Sequence, residues 1–129
     1  MKLEICLLDC FNYQANTPSF PLVGKITVEK RTEIATRVEV NAAILTNMKN
    51  EECGFGFMLN TFGFPRDEVV VTENSPYFVV GNIFNSDDDV SEFYPGEYEL
   101  ELKLTVFEKV GEEEFKRVFL EAKRLVTVK

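Results

Sequence analysis

Asn85, Asp87 and Asp89 stand at alternate positions of one polar stretch, with Asp88 between them and Glu92 close behind. Oxygen ligands at that spacing are how a calcium loop opens its coordination sphere. The rest of such a loop is missing. Val90 stands where the sharp turn needs glycine, and Gly96 stands where a bidentate glutamate would close the shell. Two readings follow: a looser calcium- or carbohydrate-binding loop built from Asp87, Asp88, Asp89 and Glu92, or a solvated acidic turn. No metal site is assigned. Other chemistry is thinly represented. The chain has no histidine, which removes the usual general base, the commonest zinc ligand and the middle member of nucleophilic triads. Cys6, Cys10 and Cys53 are an odd number and make no disulfide framework. On a strand, Cys6 and Cys10 would lie about 13 Å apart, beyond disulfide reach. No phosphate-cradling glycine loop is present. The expectation is a protein without catalytic residues or cofactor.

Gly54-Phe55-Gly56-Phe57-Met58 resembles the RNP1 signature of RNA-recognition and cold-shock domains, whose strand aromatics stack on bases. Cys53 replaces the basic residue of that signature, Asn60 replaces an aromatic, and Glu51 and Glu52 add negative charge. The alternative is core phenylalanines with glycines that permit close sheet packing. The net charge of −8 disfavours a phosphate backbone and an anionic membrane surface. It leaves open an acidic surface that mimics DNA.

The elements that would carry these residues are strands. From Tyr98 to Val106, Tyr98, Leu100, Leu102, Leu104 and Val106 share one parity, and Glu99, Glu101, Lys103 and Thr105 the other. That alternation predicts a half-buried antiparallel strand over 97–109, fed by a turn at Pro95-Gly96 and central in its sheet. Further strands are expected over 2–8, 25–30, 36–45, 54–62, 68–72 and 77–83. In 36–45, Val38, Val40, Ala42 and Ile44 are expected inside, with Arg37, Glu39 and Asn41 outside. Residues 11–24, with Pro18, Pro21 and Gly24, read as an irregular connection. The last segment allows two periods. As a strand, Val118, Leu120, Ala122, Val126 and Val128 share a face, with Arg124 the exception. As a helix, Phe115, Val118, Phe119, Ala122 and Leu125 line up. The hairpin-sized gap after Lys109 and the terminal Leu-Val-Thr-Val favour the strand.

Seven or eight strands with frequent turns in 129 residues predict one all-β domain, an antiparallel sandwich over 1–129. Pro95-Gly96-Glu97-Tyr98 opening a long strand, then a hairpin and a Val126-Thr127-Val128 end, resembles the closing hairpin of immunoglobulin-like β-sandwiches. Val38-Glu39-Val40-Asn41, followed by Phe55-Gly56-Phe57, looks like their middle strands. The overall order is similar to that of intracellular proteinase inhibitors of Bacillus type. The resemblance implies binding rather than transformation, and it assigns no functional residue.

Glu4 and Asp9 interrupt the apolar run that a signal peptide needs, so a cytoplasmic protein is expected. The expected function is a non-catalytic module that binds a protein partner, as inhibitor, assembly subunit or accessory subunit, with a homodimer left open. Candidate contacts are Phe62 and Phe64 in the 61–67 turn, where aromatics suit interface anchors, and the loop carrying Asp87, Asp88, Asp89 and Glu92.

Overall fold

The structure, a computed structural model, describes residues 1–7, 19–48, 55–59, 68–85 and 95–129. Its elements are β1 (Lys2–Cys6), β2 (Ser19–Thr27), β3 (Thr32–Asn47), β4 (Phe55–Leu59), β5 (Glu68–Val71), β6 (Tyr77–Asn85), β7 (Gly96–Lys109) and β8 (Phe115–Val128). They form two four-stranded antiparallel sheets, β1-β2-β6-β4 and β5-β3-β7-β8. The fold is an all-β sandwich.

The core lies between the sheets because each long strand buries one parity. The first sheet contributes Leu3, Ile5, Leu22, Ile26 and Val79. The second contributes Ile34, Leu45, Tyr98, Leu100, Leu102, Leu104, Val106, Leu120 and Val126. β7 follows the expectation at every position: its inward residues are buried, and it is paired with β3 on one side and β8 on the other. Gly24 also points inward. A Cβ there would sit 3.3 Å from Leu3 Cδ1 and 3.5 Å from Leu102 Cδ2, so the missing side chain lets β2 approach β7. At the entrance to β7, Gly96 has φ 145°, which an L side chain rarely adopts.

Two expectations are corrected. Residues 19–24 belong to β2 and are not an irregular connection. Pro21 pairs with Asn82 of β6, and the last described pair of β1 with β2 is Cys6–Val23. The inward residues of β3 also change parity midway. Val40 pairs with Leu104, but Ala42 pairs with Lys103, so Asn41 is an extra residue in the ladder. This bulge turns Ala43 and Leu45 into the core in place of Ala42 and Ile44. Ile44 is 40% exposed.

The final segment is a strand. β8 pairs with β7 from Gly96–Val128 to Lys109–Phe115 without a register shift. Its closing turn is held by Val110 N–H donating to Glu114 O at 2.9 Å. Arg124, the exception to the apolar parity, donates from Nη1 to Ile5 O at 2.8 Å and ties β8 to β1 in the other sheet. A second tie is Tyr77, whose hydroxyl donates to Thr36 O at 3.4 Å and whose pKa is raised by burial.

Candidate functional site

The strands that build the core also set what reaches solvent on the outer faces. On the second sheet the alternate residues of β7 are charged. Lys123 from β8 lies 3.3 Å from Glu101 and 4.0 Å from Glu99, and Lys103 lies 3.3 Å from Glu101. The hydrogen bond from Lys123 is the main cause holding the Glu101 carboxyl below the usual range, with Lys103 adding to it. The same bond raises Lys123. At the far end, Lys109 donates to Glu68 at 2.8 Å, joining β7 to β5, and its pKa is raised by that bond. Asn41, on the bulge, donates from Nδ2 to Thr105 Oγ1 at 2.6 Å. Thr105 is consequently 1% exposed, although it faces outward. These charges neutralise one another on an exposed sheet surface. Beside them, Asn41, Lys103, Phe119 and Glu121 line an open depression of about 240 Å³.

The outer face of the first sheet is different. Phe78 is 51% exposed and Val80 is 43% exposed, and both lie on β6, an inner strand of that sheet. Val80 pairs with Val23 of β2, which in turn pairs with Cys6 of β1. The row Cys6–Val23–Val80 is therefore apolar across three strands. The next row is Glu4–Lys25–Phe78, which sets one charge pair beside the aromatic ring. Apolar side chains standing together on the water side of a sheet mark a surface suited to contact with another molecule.

Sequence reasoning missed this face, yet the signal was present. Tyr77-Phe78-Val79-Val80 is apolar at both parities, whereas a strand with one wet face should alternate. The residues proposed from sequence as contacts, Phe62, Phe64, Asp87, Asp88, Asp89 and Glu92, lie outside the described residues, as do Glu51, Glu52 and Cys53. Phe55 and Phe57 lie on β4, which pairs with β6 at the edge of the first sheet. Among the described residues, no three acidic, cysteine or histidine side chains group as metal ligands. An open cavity of about 460 Å³ lies near the N-terminus between Lys2, Thr27, Lys30, Thr32 and Glu108. Its charges are of mixed sign and carry no nucleophile–base pair.

No family model matches the chain, and no curated protein matches it. Among solved structures, the chain is similar to that of the CooA pilin subunit from enterotoxigenic Escherichia coli, at 9% identity and a TM-score of 0.43, over 100% of this chain and 99% of that one.

Proposed function

We propose that the chain is a non-catalytic protein-binding sandwich of immunoglobulin-like type, acting in the cytoplasm as an inhibitor, assembly subunit or accessory subunit through the outer face of its first sheet. The observation that carries this is the exposure of Phe78 and Val80 beside the apolar row Cys6–Val23–Val80. Such a surface gains free energy by leaving water, at roughly 25 cal/mol per Å² of apolar area covered. An exposed aromatic ring on an inner strand of a sheet has the form of an interface anchor.

The test is site-specific photo-crosslinking in lysate of the source cells. Phe78 is replaced by a photoreactive phenylalanine, and in a separate sample Glu113, at the β7–β8 turn, is replaced by the same group. The expected result is a discrete adduct from position 78, lost when Val80→Lys is added, and none from position 113. Identical adduct patterns from the two positions, or an adduct indifferent to Val80→Lys, would overturn the reading.

A further inference from the structure

The edge strand β8 has a ladder partner on one side only among the described residues. A strand with an open edge is a template for another strand. β8 spans 14 residues, and its two most exposed large apolar side chains are Phe119 at 74% and Leu125 at 64%. Both lie on its outward parity, with Glu121 and Lys123 between them.

These four residues are arranged symmetrically about Ala122. We infer that β8 pairs antiparallel with β8 of a second copy of this chain, with Ala122 on the two-fold axis. A two-fold edge contact makes the same surface its own partner, so each residue must be complemented by its mirror position. With Ala122 opposite Ala122, Glu121 of each copy faces Lys123 of the other, and Phe119 faces Leu125. On the inward parity Val118 faces Val126. Arg117 meets Thr127 and Lys116 meets Val128, so no like charges stand opposite one another.

Other registers lose this match. A shift of two residues one way sets Glu121 against Glu121, and the other way sets Lys123 against Lys123. A shift of one residue turns the outward side chains of one copy against the inward ones of the other. Opposite charges and apolar pairs directly across a ladder stabilise it, and like charges destabilise it. Arg124, the remaining cation of the central stretch, is drawn to Ile5 O on β1 and does not obstruct the axis. Lys123, already 3.3 Å from Glu101, would be shared between Glu101 of its own copy and Glu121 of the second.

This inference rests on strand topology and the order of residues in β8. It does not rest on the reading of the first sheet's face. The test is sedimentation equilibrium of the full chain over a wide concentration range, with two variants. The wild-type mass should rise from one chain to two. Glu121→Lys, which sets Lys against Lys123, should weaken the dimer about tenfold or more while circular dichroism shows an unchanged fold. Ala122→Cys should form a disulfide between the two copies under mild oxidant, because antiparallel partners lie within the Cα separation a disulfide spans. Peptide mapping identifies that linkage despite the native cysteines, and Glu113→Cys serves as the control that does not crosslink. A single-chain mass at the highest soluble concentration would overturn the inference. So would a dimer that Glu121→Lys leaves unaffected, with the Ala122→Cys and Glu113→Cys variants crosslinking alike.

Discussion

Deleting Asn41 removes a residue from the middle of an inner strand, and it should cost little. The ladder of β3 with β7 shifts register between Ile34–Glu108 and Val38–Val106, and again between Val40–Leu104 and Ala42–Lys103, where Asn41 is the surplus residue. Without it, the ladder runs regularly from Val38–Val106 to Asn47–Tyr98, and Val38, Ala43 and Leu45 keep their inward parity. The loss is the hydrogen bond from Asn41 to Thr105, 2.6 Å long, together with the cover that Asn41 gives that hydroxyl. Water can replace both, so the net cost is about 0.5–1.5 kcal/mol, or a drop in Tm of roughly 2–6 °C for a chain of this size. Deleting Lys103 from β7 should have a far larger effect. β7 pairs with β8 without a shift over its whole length, so a missing residue flips one end of β7. Either Leu104 and Val106 or Tyr98, Leu100 and Leu102 would leave the core. At about 1.5–3 kcal/mol per side chain, that loss matches the roughly 5–15 kcal/mol that holds such a domain together. Urea denaturation followed by near-ultraviolet circular dichroism measures both. A protein that unfolds on loss of Asn41, or that folds normally without Lys103, would refute the register argument.

Three other outcomes are expected. Gly24→Val should destabilise by about 1–3 kcal/mol in urea titration, because the new side chain meets Leu3 and Leu102 at contact distance. Gly96→Ala should cost about 1–3 kcal/mol by the same measurement, since its φ of 145° strains any residue with a Cβ. The Glu101 carboxyl, lowered by the hydrogen bond from Lys123, binds a proton less readily in the folded chain than in the unfolded one. Its contribution is therefore present above the unfolded carboxylate range and lost as pH falls through the lower folded value. The acid limb of the urea midpoint should flatten in Glu101→Gln, and an unchanged limb would contradict the assignment.

The fold was legible wherever one strand obeyed one period. β7 shows this best: from Tyr98 to Val106 the inward and outward residues are the same in sequence and structure, because β7 carries no extra residue and pairs with β8 without a register shift. β3 was misread beyond Val40 because a bulge inserts a residue without any marker in composition. Asn41 looks like an ordinary outward polar residue, and only its pairing reveals that it breaks the alternation. β8 was ambiguous for a related reason. Its apolar residues occupy both parities, and the set that lined up as a helix stripe includes Phe115, Phe119 and Leu125, which the strand leaves exposed. Arg124 read as an irregularity and is a tie to Ile5 O, a partner 119 residues away that no local pattern announces. The apolar row Cys6–Val23–Val80 of the first sheet was legible only in part, through Tyr77-Phe78-Val79-Val80, because it is assembled from β1, β2 and β6, which are separated in sequence.

The two outer faces divide the work that each could do. The second sheet covers its face with mutually compensating charges and leaves an edge at β8. The first sheet exposes Phe78 and the apolar row Cys6–Val23–Val80 on its face and is bounded at its edges by β1 and β4. A contact through the first sheet's face and a contact through the β8 edge therefore do not compete for residues. A two-fold axis that joins two β8 strands into one continuous sheet runs perpendicular to that sheet. Both first sheets then lie on the same side of it, and Phe78 of each copy points the same way. If the two proposals both hold, the dimer presents two copies of the apolar row and of Phe78 toward one partner surface. Their joint binding would follow effective concentration rather than any new contact. Glu121→Lys, which touches neither face, would then weaken capture of a multivalent partner while leaving binding of a monovalent one unchanged.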